Sequence, residues 1–295
     1  MRQGSARPVV LALFVFLTAC GAADPSKSCA VVAYQSDDRL LHVPVRVNGV
    51  PASFDIDSGA RHSVIDLTTA RRLHLSFVRA DRMGGAGHGT AMMLHAAPLT
   101  ISVGNARLRI NDPWVIDLSH VGTSRHFDGL IGEDFFKAYV VRVDPVTRTA
   151  SFCDPKTFTH TLSGTTLPLT VASDRLFIHV TLTLPNGVST IHRVRIDTGS
   201  DDAVSDDLVR QSSIRQKSLQ GVGLGKAYVD YSGLFATVQI GPYRIHNVWG
   251  PSGSPPAVGM ELLRRFILTF DVPHGQLTLE PTAHIGDLVP SPSIE

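Results

Sequence analysis

The sequence predicts an all-β protein of two tandem lobes, and three observations carry the prediction. One apolar strand is written twice, as Phe54-Asp55-Ile56-Asp57-Ser58-Gly59-Ala60 and as Val194-Arg195-Ile196-Asp197-Thr198-Gly199-Ser200. Each copy is followed at a matched offset by Val and Asp (Val64 and Asp66; Val204 and Asp206), and later by an apolar-apolar-Gly triplet, Leu130-Ile131-Gly132 or Ala257-Val258-Gly259. Between these landmarks, 25 Gly and 18 Pro break the chain into short alternating stretches with little helical periodicity. The two Asp lie 140 residues apart and the two triplets 127 apart, a repeat too long for a solenoid and suited to two lobes.

The elements follow in order. Arg2 and Arg7 precede a nine-residue apolar run, Val9 to Leu17, which is of signal-peptide length and too short to span a bilayer. It ends in Leu17-Thr18-Ala19-Cys20, which resembles the bacterial lipoprotein box. That resemblance implies a signal peptide over 1–19, a lipidated Cys20, and a protein held at the cell envelope facing the periplasm. A plain secretory signal with an incidental Cys is the alternative. Residues 20–39 read as a tether, 40–155 as the first lobe, 156–166 as a linker, 167–283 as the second lobe and 284–295 as a tail.

In the first lobe, Leu41, Val43, Val45 and Val47 alternate as a half-buried strand. Asn48-Gly49 is a hairpin signal, and the next strand carries Asp57 to its tip. Asp66 suits the N-cap of a short helix. Met83 to Gly89 holds four glycines and reads as a hairpin tip; without a Lys-Ser/Thr pair it is a poor phosphate loop. Glu133 to Tyr139 reads as a short helix, and strands around Asp144-Pro145 close the unit. The second lobe repeats this order: the Asn186-Gly187 turn, the strand to Asp197, a helix capped by Asp206 or Asp207, the tip Gly221 to Gly225, and a closing hairpin at Pro273-His274-Gly275.

Composition narrows the function. Hydrophobic residues make up 43 %, enough for a packed core, and the net charge is +1 with no basic stripe, so nucleic acid is not expected. No Cys-x-x-Cys or His-Glu-x-x-His occurs, and the acids at 201, 202, 206 and 207 lack calcium-loop spacing, so no metal or cofactor is expected. The thirteen His are scattered and make no triad with Ser58 or Ser63. Cys29 and Cys153 bracket the first lobe; in an oxidising compartment they form a disulfide, or else remain two buried thiols. Asp55, whose counterpart is Arg195, reads as solvated or salt-bridged, and Trp114 and Trp249 as packing residues.

With the residues laid out, the pattern over 40–281 resembles the pepsin/retropepsin-type aspartic proteases. Asp57-Ser58-Gly59-Ala60 is similar to the retropepsin form and Asp197-Thr198-Gly199-Ser200 to the pepsin form. Leu130-Ile131-Gly132 and Ala257-Val258-Gly259 resemble the family's second signature, and the glycine-rich tips stand where its flaps stand. The resemblance implies two retropepsin-like lobes, pseudo-twofold closed barrels with the active-site cleft between them, in a monomer that is its own pseudo-dimer. It implies an aspartic endopeptidase in which Asp57 and Asp197 activate one water, while Ser58, Gly59, Thr198, Gly199, Gly132 and Gly259 support the loops. Departures are the absence of a Tyr at the first tip, which has His88, and the presence of Tyr228 near the second.

Two carboxylates about 3 Å apart cannot both ionise readily, so such a pair holds one proton. A peptide-binding lipoprotein that keeps the cleft and cuts nothing is the alternative function. A glycosidase is a weaker one, since its two acids are differently placed rather than two copies of one loop.

Overall fold

In a computed structural model the described residues are 29–36, 40–84, 87–119, 121, 127–159, 163–221 and 224–287. The signal peptide, Cys20 and the first part of the tether lie outside them, as does most of the tail. The described chain is mostly strand, with helices of one to two turns at Leu67–Arg72, Glu133–Ala138 and Met260–Leu263.

Three sheets organise it. The first has nine strands, running from Phe77–Met83 through Ala91–Ala96, Trp114–Ile116, Val64–Asp66, Gly129–Ile131, Val50–Ile56, His42–Val47 and Leu99–Val103 to Ala106–Ile110. Alternation sets its faces: along His42–Val47, Val43, Val45 and Val47 are buried and Pro44 and Arg46 exposed. The second, of the C-terminal half, centres on Leu176–Thr183, Ser189–Ile196 and the long Tyr228–Ile240. Both are curled half-barrels rather than the closed barrels expected, since hydrogen bonding runs from one edge to another without joining. The edge at Ala106–Ile110 is met by the Tyr139 hydroxyl, which donates to Arg107 O (2.8 Å) and accepts from Arg107 N (2.9 Å). A side chain there satisfies groups that a closing strand would otherwise pair.

The two halves share one local weave. Gly129–Ile131 runs parallel to Phe54–Ile56 and antiparallel to Val64–Ile65. Ala257–Val258 runs parallel to Arg195–Ile196 and antiparallel to Val204–Ser205. In both, the apolar triplet is thus a strand inserted between the two arms of an Asp-bearing loop. Asp66 caps the helix Leu67–Arg72, accepting from Thr68 N and Thr69 N. Asp206, rather than Asp207, caps the turn of 3-10 helix at Asp207–Gln211.

The third sheet joins the halves. Its order is Cys29–Ala33, Thr149–Cys153, Val140–Asp144, Phe266–Asp271, Gln276–Pro281 and Thr165–Pro168. The junction is antiparallel, pairing Val141 with Phe270 and Val143 with Leu268. Around it the Phe136 and Phe270 rings meet edge-on at 5.0 Å. Arg142 bonds Thr269 Oγ1 (3.0 Å) and ion-pairs with Glu280, which also accepts from Ser163 Oγ (2.8 Å). Two sequence boundaries shift accordingly. Residues 29–33, read as tether, are an edge strand, and the strand Thr165–Pro168 starts inside the expected linker. Their partners lie far along the chain, so local pattern does not mark them.

Cys29 and Cys153 face each other in the antiparallel ladder and form a disulfide that closes 124 residues. In the chain-entropy description such a closure contributes about 4 kcal/mol. Cys153→Ser is therefore expected to lose about 3–5 kcal/mol in urea unfolding, matched by the wild type under reductant. Coincident unfolding curves for oxidised and reduced protein would remove the disulfide from the account of stability.

Candidate active site

Each Asp stands at the end of a strand whose neighbour is the inserted triplet. Asp57 N donates to Ile131 O (2.9 Å) and Asp197 N to Val258 O (3.0 Å). Each loop then folds back on its own carboxylate. Gly59 N and Ala60 N donate to Asp57 Oδ1 (2.8 and 3.0 Å), and Gly199 N donates to Asp197 Oδ1 (3.2 Å). One oxygen of each Asp is therefore held by backbone, in the manner of an Asx turn.

The loops are joined reciprocally. Ser58 N donates to Thr198 Oγ1 (2.9 Å) and Thr198 N to Ser58 Oγ (3.0 Å). In turn Thr198 Oγ1 donates to Ile56 O (2.6 Å) and Ser58 Oγ to Ile196 O (2.8 Å). Ser58 and Thr198 are fully buried, so these four bonds satisfy backbone groups that water does not reach.

Close approach, not left-handed backbone, fixes the glycines. A Cβ on Gly59 would lie 2.3 Å from Asp197 Oδ1, and one on Gly199 2.3 Å from Asp57 Cγ. Each carboxylate thus lies against the opposite loop's glycine. Gly132 and Gly259 carry the same constraint where the inserted strand passes the loop: a Cβ would sit 2.3 Å from the His62 carbonyl carbon and 2.5 Å from Asp202 O. The loops are braced from that side too, by Glu133 N on Ala60 O (3.0 Å) and Met260 N on Ser200 O (2.7 Å).

The two carboxylates have unequal surroundings. Burial, and then the charge of Asp197, push Asp57 from its ordinary 3.8 up to about 7; the Gly59 amide, Arg195 and the Ala60 amide oppose this. Asp197 is 7 % exposed and its Oδ2 accepts from Arg195 Nη2 at 2.6 Å. Asp55, which occupies the matching position in the first half and reads from sequence as solvated or salt-bridged, is shut off from solvent. It is 1 % exposed and accepts from Leu41 N (2.6 Å), a structural bond within the strand pair. Arg195 was visible in the sequence only as a break in the repeat. A cation two residues before an Asp at a strand tip shares that Asp's face of the strand, and that spacing was the available signal.

Two further arginines bear on the pair. Arg175 is half-buried, and burial with the nearby Arg61 and Arg195 lowers its pKa, against the pull of Asp197 and Asp57. The glycine-rich tips also meet. His88 and Lys226 exchange backbone hydrogen bonds (2.9 and 2.8 Å), and the His88 ring stands edge-on to Tyr228 at 4.4 Å. Trp114 packs beside His62 at 4.2 Å and Trp249 against the main core.

A protein-family model described as aspartyl protease matches residues 43–135, a segment that contains Asp57, its loop and the Leu130-Ile131-Gly132 triplet. The match supports a protease of the aspartyl type, and Asp197 lies outside it. No curated protein matches the chain.

The loop junction generates a prediction. Thr198→Ala strips a partner from both Ile56 O and Ser58 N, and each buried unpaired group costs about 1–3 kcal/mol. Thermal unfolding should therefore show a loss of about 2–4 kcal/mol for Thr198→Ala and much less for Thr198→Ser, which keeps the hydroxyl. Equal losses in the two variants would mean that packing of the methyl group, not the hydroxyl, holds the loops.

Proposed function

We propose that the chain is an aspartic endopeptidase of two tandem lobes, in which Asp57 and Asp197 share one proton and activate one water for attack on a peptide carbonyl. The observation that carries the reading is the mutual packing of the two tips, each carboxylate against the other loop's glycine. The two carboxylates have different surroundings, and these favour one division of labour. Asp57, raised to about 7, is the acid that polarises the carbonyl, and Asp197, which accepts from Arg195, is left as the base that takes the proton of the water. Both aspartates come from one chain, so a monomer suffices. The meeting tips would roof the cleft, and Cys20 would anchor the protein to the envelope membrane, a reading that rests on the sequence Leu17-Thr18-Ala19-Cys20.

One observation favours the second reading, a peptide-binding module without catalysis. The Arg195 bond occupies the Asp197 oxygen left over by the Gly199 amide, so a water would have to compete with the guanidinium for it. Soluble protein lacking residues 1–20, incubated with a mixed peptide library, separates the two. Cleavage by wild type and not by Asp57→Asn or Asp197→Asn supports the protease; binding by all three with no cleavage supports the module.

The pH dependence follows from Asp57. The one-proton pair persists up to about pH 7, so cleavage should fall as pH rises beyond it. Stability should move the same way. A carboxyl raised in the folded state favours folding below its unfolded pKa and loses that advantage as pH climbs from about 4 to about 7. Asp57→Asn should thus gain stability on wild type across that window, on the order of 4 kcal/mol between urea titrations at pH 4 and at pH 8. A constant difference between the two proteins at both pH values would refute the raised carboxyl.

A further inference from the structure

The two halves differ most in charge at matched positions around the aspartates. In the second half the ladder pairs Phe177 with Arg195, and carrying its register two residues on sets Arg175 opposite Asp197. In the first half the ladder pairs His42 with Asp55, and the same step sets the buried Leu40 opposite Asp57. A guanidinium therefore stands where the repeat has a leucine. Beyond the tips, Arg61-His62 follows Ala60 where Asp201-Asp202 follows Ser200. Arg175 and Arg195 thus stand by the two carboxylates, and Arg61, from the other half, is close enough to Arg175 to lower its pKa.

The charges do not balance. Arg195 is engaged by Asp197 at 2.6 Å. The carboxylate next to Arg175 along the chain, Asp174, is held by Lys137 at 2.9 Å. Lys137 is shared with Glu133 (2.7 Å), and Asp174 also feels Arg61. Of the cations Arg61, Arg175, Arg195 and Lys137, one charge is left over once the aspartate pair, Glu133 and Asp174 are counted. Arg175 Nε is buried without a hydrogen-bond partner, and among the described residues neither Arg61 nor Arg175 has a carboxylate at ion-pair distance. The pair Asp57–Asp197, holding one proton, offers a single negative charge, and Arg195 already neutralises it. A half-buried guanidinium facing a second cation is unfavourable until an anion joins it. Guanidinium groups take carboxylates in a two-bond fork, which a neutral or basic side chain cannot supply.

We infer that Arg61 and Arg175 form a specificity subsite beside the aspartate pair that takes an acidic side chain, Asp or Glu, of the peptide near the bond to be cut. The inference deepens the endopeptidase reading and rests on its peptide cleft. Because the matched positions of the other half carry Leu40 and Asp201 rather than two arginines, the acidic residue is accepted on one side of the scissile bond only.

The test uses matched peptides with Asp or Glu, Asn or Gln, or Lys at each position flanking the cut. Wild type should favour the acidic peptide over its amide by about tenfold or more in kcat/KM, on one side only, and the preference should shrink with added salt. Arg61→Gln and Arg175→Gln should each lower that acidic-to-amide ratio by about tenfold. Arg61 is exposed, so its variant keeps the test decisive if Arg175→Gln does not fold. A wild-type ratio near one, or an unchanged ratio in both variants, would overturn the subsite. A parallel arm measures anisotropy of the same peptides, dye-labelled, on Asp57→Asn with and without Arg61→Gln. If wild type cuts nothing yet acidic peptides bind this protein more tightly and Arg61→Gln abolishes the difference, the subsite stands while the endopeptidase reading falls. Equal binding of acidic and amide peptides sinks the subsite whatever the cleavage result.

Discussion

Bringing two carboxylates together inside a protein works against both solvation and Coulomb repulsion, so the contacts that hold Asp57 and Asp197 side by side must be strong and inflexible. Four hydrogen bonds through Ser58 and Thr198 supply that restraint, and they are buried where water does not compete. The glycines 59 and 199 are required by the same geometry, since any side chain there would occupy the opposite carboxylate. The inserted strands Gly129–Ile131 and Ala257–Val258 brace each loop from behind, and their own glycines follow from that crowding. Hydroxyl, small residue and inserted strand are three answers to one repulsion.

On this symmetric frame the charges have diverged. Asp55 and Arg195 stand at equivalent positions, yet one is a buried acceptor for Leu41 N and the other clamps an aspartate. In the mechanism proposed above, the divergence would give the two carboxylates different work, since a pair in identical surroundings has no reason to place its proton on one member. It also brings Arg175 and Arg195 close to the pair, so under that proposal the groups that set the proton would also bias what the cleft admits.

Much of this was legible in the chain. The Asp tips, the apolar-apolar-Gly triplets, the Asn48-Gly49 and Asn186-Gly187 turns and the Asp66 cap are local patterns, and each appears where its chemistry requires. The sheet shared by the halves was not, because its strands pair across more than a hundred residues and Cys29–Ala33 is too short and blurred to announce itself. The burial of Asp55 was hidden for a related reason: its partner is a backbone amide, which carries no mark in sequence. Arg175 was hidden too, since its place opposite Asp197 depends on a register that only the assembled ladder fixes.

The edge strand Cys29–Ala33 has a consequence for how the molecule is made. Its partner, Thr149–Cys153, is synthesised more than a hundred residues later, so through most of translation the early segment has nothing to pair with. A chain emerging vectorially must carry that segment open and its thiol reduced until the first half is nearly complete. Long-range strand pairing of this kind is slow and leaves an exposed edge while it waits. In such a chain, collapse of the first half and oxidation of its two thiols follow together once Cys153 arrives.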